Sequence, residues 1–322
     1  MKAETEKTYS FNNSHDPDVP VDYWFQNPPE GMTLFVVFYT KTCQWNQCLG
    51  CNLPSMVSEH HVSFHHIMKQ VDHVFENVLD DEKKTSLKKI IISNNGSILD
   101  EDTFSTTALL YFLAKMNISC SNVHTLTIET RPEYVDFAEL EVMARALAEG
   151  DIPTKLEIAI GFEAFDDELR NVHFKKGLNL DVFETFVSLV SKHYFTLKTY
   201  FMLKPVPGIS ESDAIEDIKK GIDYLDALAR KKGIEINMHL NPTYAAKGTP
   251  LADAFVDGSF VPPKLESVVD IIRHAKGKSI SLFIGLYDEG LAVPGGSFVR
   301  EGDEGLVERL EEFNRNQNFD LF

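Results

Sequence analysis

Short, uninterrupted apolar runs rich in β-branched and aromatic residues recur along the 322-residue chain. They are 34–39 (LFVVFY), 89–93 (KIIIS), 125–130 (TLTIET), 156–161 (LEIAIG), 197–203 (LKTYFML) and 236–240 (INMHL), with 281–286 (SLFIGL) a candidate seventh. Continuous rather than alternating apolarity predicts parallel strands buried on both faces. Between the runs the period changes to that of amphipathic helices. Phe64, Ile67, Met68, Val71, Val74, Phe75, Val78 and Leu79 share one stripe, and further helices are predicted over 104–116, 134–147, 180–194, 214–229 and 265–274. Ser210 followed by Asp213 resembles the opening of a capping box.

Six strand-helix repeats without a Gly/Ser linker or low-complexity tract predict an α/β fold, a partial (β/α)6 TIM-like barrel. Its core is expected over 31–260, with an N-terminal extension at 1–30 and a C-terminal strand and helices at 261–322 packed on the core. Such barrels carry their chemistry in the connections that leave the carboxyl ends of the strands.

Composition narrows the class. A 43% hydrophobic and 25% charged chain has the mixture of a soluble globular protein with a full core. The net charge of −18 argues against a protein that grips nucleic acid by charge alone, because phosphate binding rests on Lys and Arg. Basic runs do occur, at Lys83, Lys84, Lys88 and Lys89, at Lys175 and Lys176, at Arg230, Lys231 and Lys232, and at Arg273, Lys276 and Lys278. At helix ends such runs read as solvated faces or dipole complements. The first 20 residues alternate charge and polarity with no apolar core, so a secretory signal is not expected and a cytoplasmic protein without a membrane anchor is.

Three of the four cysteines, Cys43, Cys48 and Cys51, lie in KTCQWNQCLGC directly after the first predicted strand. Without an export signal, this grouping reads as metal ligation before disulfide. Structural zinc normally takes four protein ligands, whereas an iron-sulfur cubane held by three cysteines keeps one iron open. The competing reading is a zinc site completed by His60, His61, His65 or His66. Cys120 reads as a small buried residue, and the histidines of HHVSFHH as a polar helix face. Trp45, inside the cysteine loop, reads as a shield for the centre or as packing on the barrel.

Three later segments add chemistry after successive strands. SNNGSILD (93–100) pairs Gly96, which lets another backbone approach closely, with Asn95 and Ser97 as polar partners for a ligand. TIETRPEYV (127–135) offers Glu129 and Arg131, and IAIGFEAFDDELR follows the fourth run. Taken together with the cysteines, these motifs resemble the radical S-adenosylmethionine (SAM) superfamily, its Elp3-like branch in particular. Their order and distances are similar to those of the archaeosine-biosynthesis radical SAM proteins and their bacterial relatives, over roughly 34–286. Two departures mark the cysteine motif: the usual C-x3-C-x2-C is here C-x4-C-x2-C, and Gly50 stands where an aromatic residue is common.

The resemblance implies a radical SAM barrel with a [4Fe-4S] cluster on Cys43, Cys48 and Cys51. It also implies SAM bound by Asn95, Gly96, Ser97, Glu129 and Arg131, with reductive cleavage of SAM to a 5′-deoxyadenosyl radical. In the archaeosine proteins the reaction cleaves a carbon-nitrogen bond of a lysine-bearing tRNA nucleoside. Glu163, Lys204, His239 and Asn241, at the ends of later strands, are the substrate-facing candidates. An electron donor such as a flavodoxin or ferredoxin is expected, and a basic partner subunit if the substrate is tRNA. The alternatives are radical SAM chemistry on a small amine-bearing metabolite or peptide, a non-catalytic iron-sulfur protein that binds SAM, and a zinc-stabilised scaffold.

Overall fold

In the computed structural model, which describes residues 7–322, each apolar run is a strand. The strands are β1 (Asp22–Gln26), β2 (Thr33–Val37), β3 (Lys89–Ser93), β4 (Thr125–Glu129), β5 (Lys155–Glu163), β6 (Thr196–Leu203), β7 (Ile236–Pro242) and β8 (Ser281–Ile284). The first six residues of the expected 1–30 extension lie outside the described residues. The strands form one sheet in sequence order: β1 is antiparallel to β2, and every later neighbour is parallel.

Parallel neighbours need crossovers, and helices supply them. They are α1 (Phe64–His73), α2 (Asp81–Ser86), α3 (Thr106–Ser119), α4 (Phe137–Leu147), α5 (Leu180–Lys192), α6 (Glu211–Lys232), α7 (Pro250–Val256) and α8 (Glu266–Ala275), while α9 (Glu304–Asn316) follows the last strand. The sheet is a curled, open half-barrel, because among the described residues its end strands β1 and β8 do not pair. Three details go beyond or differ from the sequence pattern. The candidate seventh run is a full member, so seven strands are parallel, and β1 is an antiparallel strand that the pattern did not predict. The stripe from Phe64 is not one helix: it widens into a π turn at Val74–Val78 with Val74, Phe75 and Val78 still buried.

Alternation along the strands sorts side chains to the two faces. Ile90, Ile92, Leu126, Ile128, Leu156, Ile158, Met238 and Leu240 join the core beneath the helices. Their neighbours point to the concave face, which is polar. At the amino ends of the strands, Lys89 pairs with Glu157 at 2.7 Å across β4, and Lys198 donates to Asn237 at 2.6 Å. A cavity of about 340 Å³ opens there, lined in part by Glu30, Lys89, Lys155 and Glu157. At the carboxyl ends, Tyr200 on β6 reaches over β5 to donate to Glu129 on β4. In β5, Ala159 is level with Glu129 and Gly161 with Tyr200, and the absent Gly161 side chain leaves the space that Glu163 Oε1 and Lys176 Nζ fill. The helix α6 is framed as its sequence demands: Ser210 accepts from the Asp213 N–H at 3.1 Å, and Gly233 closes it at φ 63°. No helix among the described residues is long and apolar enough to cross a membrane.

Candidate functional site

The cysteine loop leaves β2 and is pinned at its base, where Thr42 N–H donates to Ser58 O at 2.7 Å and Ser58 N–H to Thr40 O at 3.0 Å. Farther along, Cys51 N–H donates to Cys48 O at 3.2 Å and Leu49 N–H to Phe174 O at 2.9 Å. Cys43, Cys48 and Cys51 are free thiols on this one loop. Burial pushes the Cys48 thiol up, opposed chiefly by the positive charge of Lys176. Cys51 is pushed up to about 12 by burial, with the Lys7 ammonium as the largest opposing charge. Cys51 also feels the charges of Cys48 and Cys43, and Cys48 that of Cys43. Because a metal takes the thiolate, loading this loop must release protons. Cys120 is buried at the end of α3, apart from the trio, and burial raises it to about 11.

The loop after β3 is stacked directly on the first cysteine. A methyl group on Gly96 would lie 3.2 Å from Cys43 Cα and 3.3 Å from its Cβ, closer than nearly all real contacts. Asn95 takes a left-handed φ of 55°, and its amide donates to Leu53 O at 3.3 Å, tying the two loops together. Ser97 is buried, and its hydroxyl has no partner.

After β4, the Glu129 carboxyl is raised by burial, against which hydrogen bonds from Ser93 and Tyr200 work. Arg131 is buried with its guanidinium 4.6 Å above the Trp45 ring, paired with Glu133 and donating to Lys176 O at 3.1 Å. Trp45 in turn donates to Lys175 O at 2.9 Å and covers Gly177, whose φ of 70° no larger residue adopts readily. Arg131 thus braces the cysteine loop through Trp45.

Glu163 ends β5 at φ 75° and pairs with the buried Lys176 at 2.8 Å. Burial opposes the Lys176 charge, but Glu163 and Cys48 outweigh it and raise its pKa. On β7, His239 lies between the Tyr200 and Phe283 rings, with centroids at 4.9 and 4.8 Å. Burial and then Lys198 hold it neutral, Asn241 engages one ring nitrogen, and Nδ1 has no partner. Lys204, by contrast, pairs with Glu211 at the head of α6 at 3.2 Å, outside the Glu129–Tyr200–His239 group. Sequence reading passed over Tyr200, Tyr244 and Glu289, and took Lys176 for part of a solvated basic run, whereas it is buried against Glu163. The Tyr244 hydroxyl donates to Glu289 at 3.3 Å, and burial raises the Glu289 carboxyl to about 7. The apolar setting of Tyr200 inside LKTYFML was the one available signal, a hydroxyl at an inward strand position.

Six buried side-chain atoms among the described residues lack a partner: Thr42 Oγ1, Asn52 Oδ1, Asn94 Oδ1, Ser97 Oγ, His239 Nδ1 and Thr243 Oγ1. All six sit in the cysteine loop, the loop after β3, or β7 and its exit. Buried polar atoms are normally satisfied, so this concentration at the carboxyl ends suits a polar ligand held there. Three thiols are the donor set of a soft metal centre. Among the described residues no group of three or more His, Cys, Asp or Glu closes on a single ion, the three cysteines included, and the four histidines of the competing zinc reading are engaged or exposed elsewhere. His66 is instead bonded to Asp18 at 2.5 Å, and His60, His61 and His65 are exposed.

The curled parallel sheet with its crossover helices is an open α/β half-barrel whose strand-end loops carry the candidate site. Its structural likeness is to Elp3 of Methanocaldococcus infernus, with a TM-score of 0.51 at 16% identity, a likeness of fold that covers 79% of this chain and 58% of that one. The chain resembles the archaeosine synthase subunit beta of Methanosarcina acetivorans, 29% identical over 78% of this chain and 68% of that protein. It is also 23% identical to an uncharacterized protein of Methanocaldococcus jannaschii, over 100% of this chain and 88% of the other. No family model matches the chain.

Proposed function

We propose that the chain is a radical SAM enzyme whose [4Fe-4S] cluster is held by Cys43, Cys48 and Cys51. The observation that supports this reading is the close seating on Cys43 of the Gly96 loop, which carries the unpartnered Asn94 Oδ1 and Ser97 Oγ. A reduced cluster held there would supply the one electron that splits SAM into methionine and a 5′-deoxyadenosyl radical. The protein's own task is placement. Asn95, Gly96 and Ser97 cradle the amino-acid end of SAM, Glu129 receives its ribose in exchange for part of its bonding to Tyr200 and Ser93, and Arg131 holds Trp45 over the cysteine loop. His239, neutral and with Nδ1 open, and Asn241 face the substrate, and Glu163 is held in place by Lys176. The electron comes from a flavodoxin or ferredoxin.

The substrate we infer is an amine-bearing nucleoside of tRNA, in the manner of archaeosine formation. The name of the archaeal relative, a subunit beta, supports a second subunit, which would bring the basic surface that an acidic chain lacks. A net charge of −18 favours, as the second reading, a small amine-bearing metabolite or peptide.

The test is anaerobic reconstitution with iron and sulfide, reduction, and measurement of 5′-deoxyadenosine from SAM. About four irons per chain and 5′-deoxyadenosine are expected, both lost in Cys43→Ala. One zinc and no iron, or a full cluster spectrum in Cys43→Ala, overturns the assignment.

A further inference from the structure

The segment Lys7–Tyr9, which precedes the barrel, lies on the cysteine loop. Tyr9 donates its hydroxyl to Asn46 Oδ1 at 2.8 Å, and Lys7 donates to the same oxygen at 3.0 Å and to Asn46 O at 3.4 Å. Asn46 is the loop residue between Cys43 and Cys48 with a left-handed φ of 40°. A non-glycine residue in that region is held by its surroundings, and here two side chains from the N-terminal segment hold it.

The other side of the segment is fastened as well. Thr8 N–H donates to Gly248 O at 2.9 Å, and a methyl on Gly248, at φ 69°, would fall 2.8 Å from Tyr9 N. The loop that carries Gly248 returns to the cysteine loop, because Asn52 donates to Lys247 O at 3.2 Å. Downstream, Asn12 N–H donates to Val57 O at 3.1 Å, and the Tyr39 hydroxyl to Asn12 O at 2.7 Å. The result is a closed ring of contacts: segment, cysteine loop, exit of β7. All three cysteine sulfurs are near enough to Tyr9 for their charge to add to burial in raising its hydroxyl pKa.

We propose that Lys7–Tyr9 is a strap that fixes the cysteine loop and covers its outer side, with Lys7 and Tyr9 as positioning residues for Asn46. The cluster-protecting role rests on the function proposed above; the covering of the loop does not. Two consequences follow. The strap limits access of bulky molecules to the three cysteines, and Lys7 sets a positive charge beside the cluster, which favours the more negative, reduced state.

The experiment uses the full chain in two states. Before reconstitution, native-state alkylation by a bulky maleimide is followed at each cysteine by mass spectrometry, with buried Cys120 as the internal monitor of folding. In Tyr9→Ala the rates at Cys43, Cys48 and Cys51 are expected to rise roughly tenfold while Cys120 does not change, as for a local opening. Tyr9→Phe, which keeps the ring, should fall between Tyr9→Ala and wild type. After reconstitution, the cluster's midpoint potential should move to more negative values in Lys7→Met and return in Lys7→Arg. Unchanged alkylation in Tyr9→Ala, or an equal rise at Cys120, overturns the strap. A wild-type chain that takes up no iron overturns the cluster assignment alone, and the alkylation comparison still decides the strap.

Discussion

Glu289, a carboxyl group at the mouth of the half-barrel, carries a pH signature of its own. It follows β8 at φ 57°, and burial raises its carboxyl from 4.5 to about 7, with the charges of Glu129, Asp22 and Asp288 adding and the Tyr244 hydrogen bond opposing. The sign follows from linkage. Below 4.5 the group is protonated whether the chain is folded or not, and its full contribution to stability is present. As pH rises toward about 7 the unfolded chain ionises first, and the folded state loses that contribution. The loss is on the order of 3 kcal/mol at most. Glu289→Gln cannot ionise, so thermal unfolding of wild type relative to this variant is expected to decline between pH 4.5 and 7 and level off above. Parallel curves for the two proteins would mean an ordinary carboxyl. Neither Glu289 nor its partner Tyr244 is distinguishable in the sequence, because their proximity is made by the exits of β7 and β8, 45 residues apart.

The connections after the strands hold one another by close approach of small residues. Gly177 shows this: its left-handed backbone and the Trp45 ring, whose Cζ2 would lie 2.4 Å from an added methyl, both exclude a side chain. Gly177→Ala is expected to cost about 1–3 kcal/mol, from the left-handed backbone and from displacement of the ring. Trp45 is one of two tryptophans, so in a Trp24→Phe background its emission should shift to the red as the ring leaves Arg131; unchanged emission would show that the ring tolerates the methyl. The parallel strands were legible as apolar runs because both their faces are covered. Strand β1, DYWFQ, was not, being half-exposed and antiparallel. The π turn at Val74–Val78 was invisible because it keeps the apolar stripe that a helix would show. The site was legible where its residues cluster along the chain, as in the cysteine loop and SNNGS. It was not where curling of the sheet does the joining: Tyr200 meets Glu129 across 71 residues, and Tyr9 meets Asn46 across 37.

For the whole molecule the charge of −18 becomes more restrictive once the basic residues are placed. Lys89 and Lys176 are buried against Glu157 and Glu163, so they offer nothing to a partner. At the surface, Lys83 pairs with Asp80 at 2.6 Å, Arg230 with Asp226 at 3.0 Å, Lys276 with Asp320 at 2.6 Å and Lys278 with Asp223 at 2.5 Å. Exposed pairs of this kind contribute little to stability, but each occupies a cation that phosphate would otherwise meet. A tRNA backbone approaching the chain alone therefore meets a net repulsion, with part of the basic runs already engaged by carboxylates. Binding by the isolated chain should be no tighter than the non-specific range of about 10⁻⁴–10⁻⁶ M at physiological salt, and should fall further as salt is raised. If tRNA is the substrate, addition of a basic partner subunit should tighten binding and steepen its salt dependence together, since every further phosphate that is neutralised releases a counterion. Fluorescence anisotropy of labelled tRNA between about 50 and 200 mM salt, with and without the partner, measures both quantities. Nanomolar binding by the chain alone would refute the two-subunit reading. Tight, salt-insensitive binding of a small amine with no tRNA binding even at low salt would move the substrate to the metabolite class and leave the barrel's proposed chemistry intact.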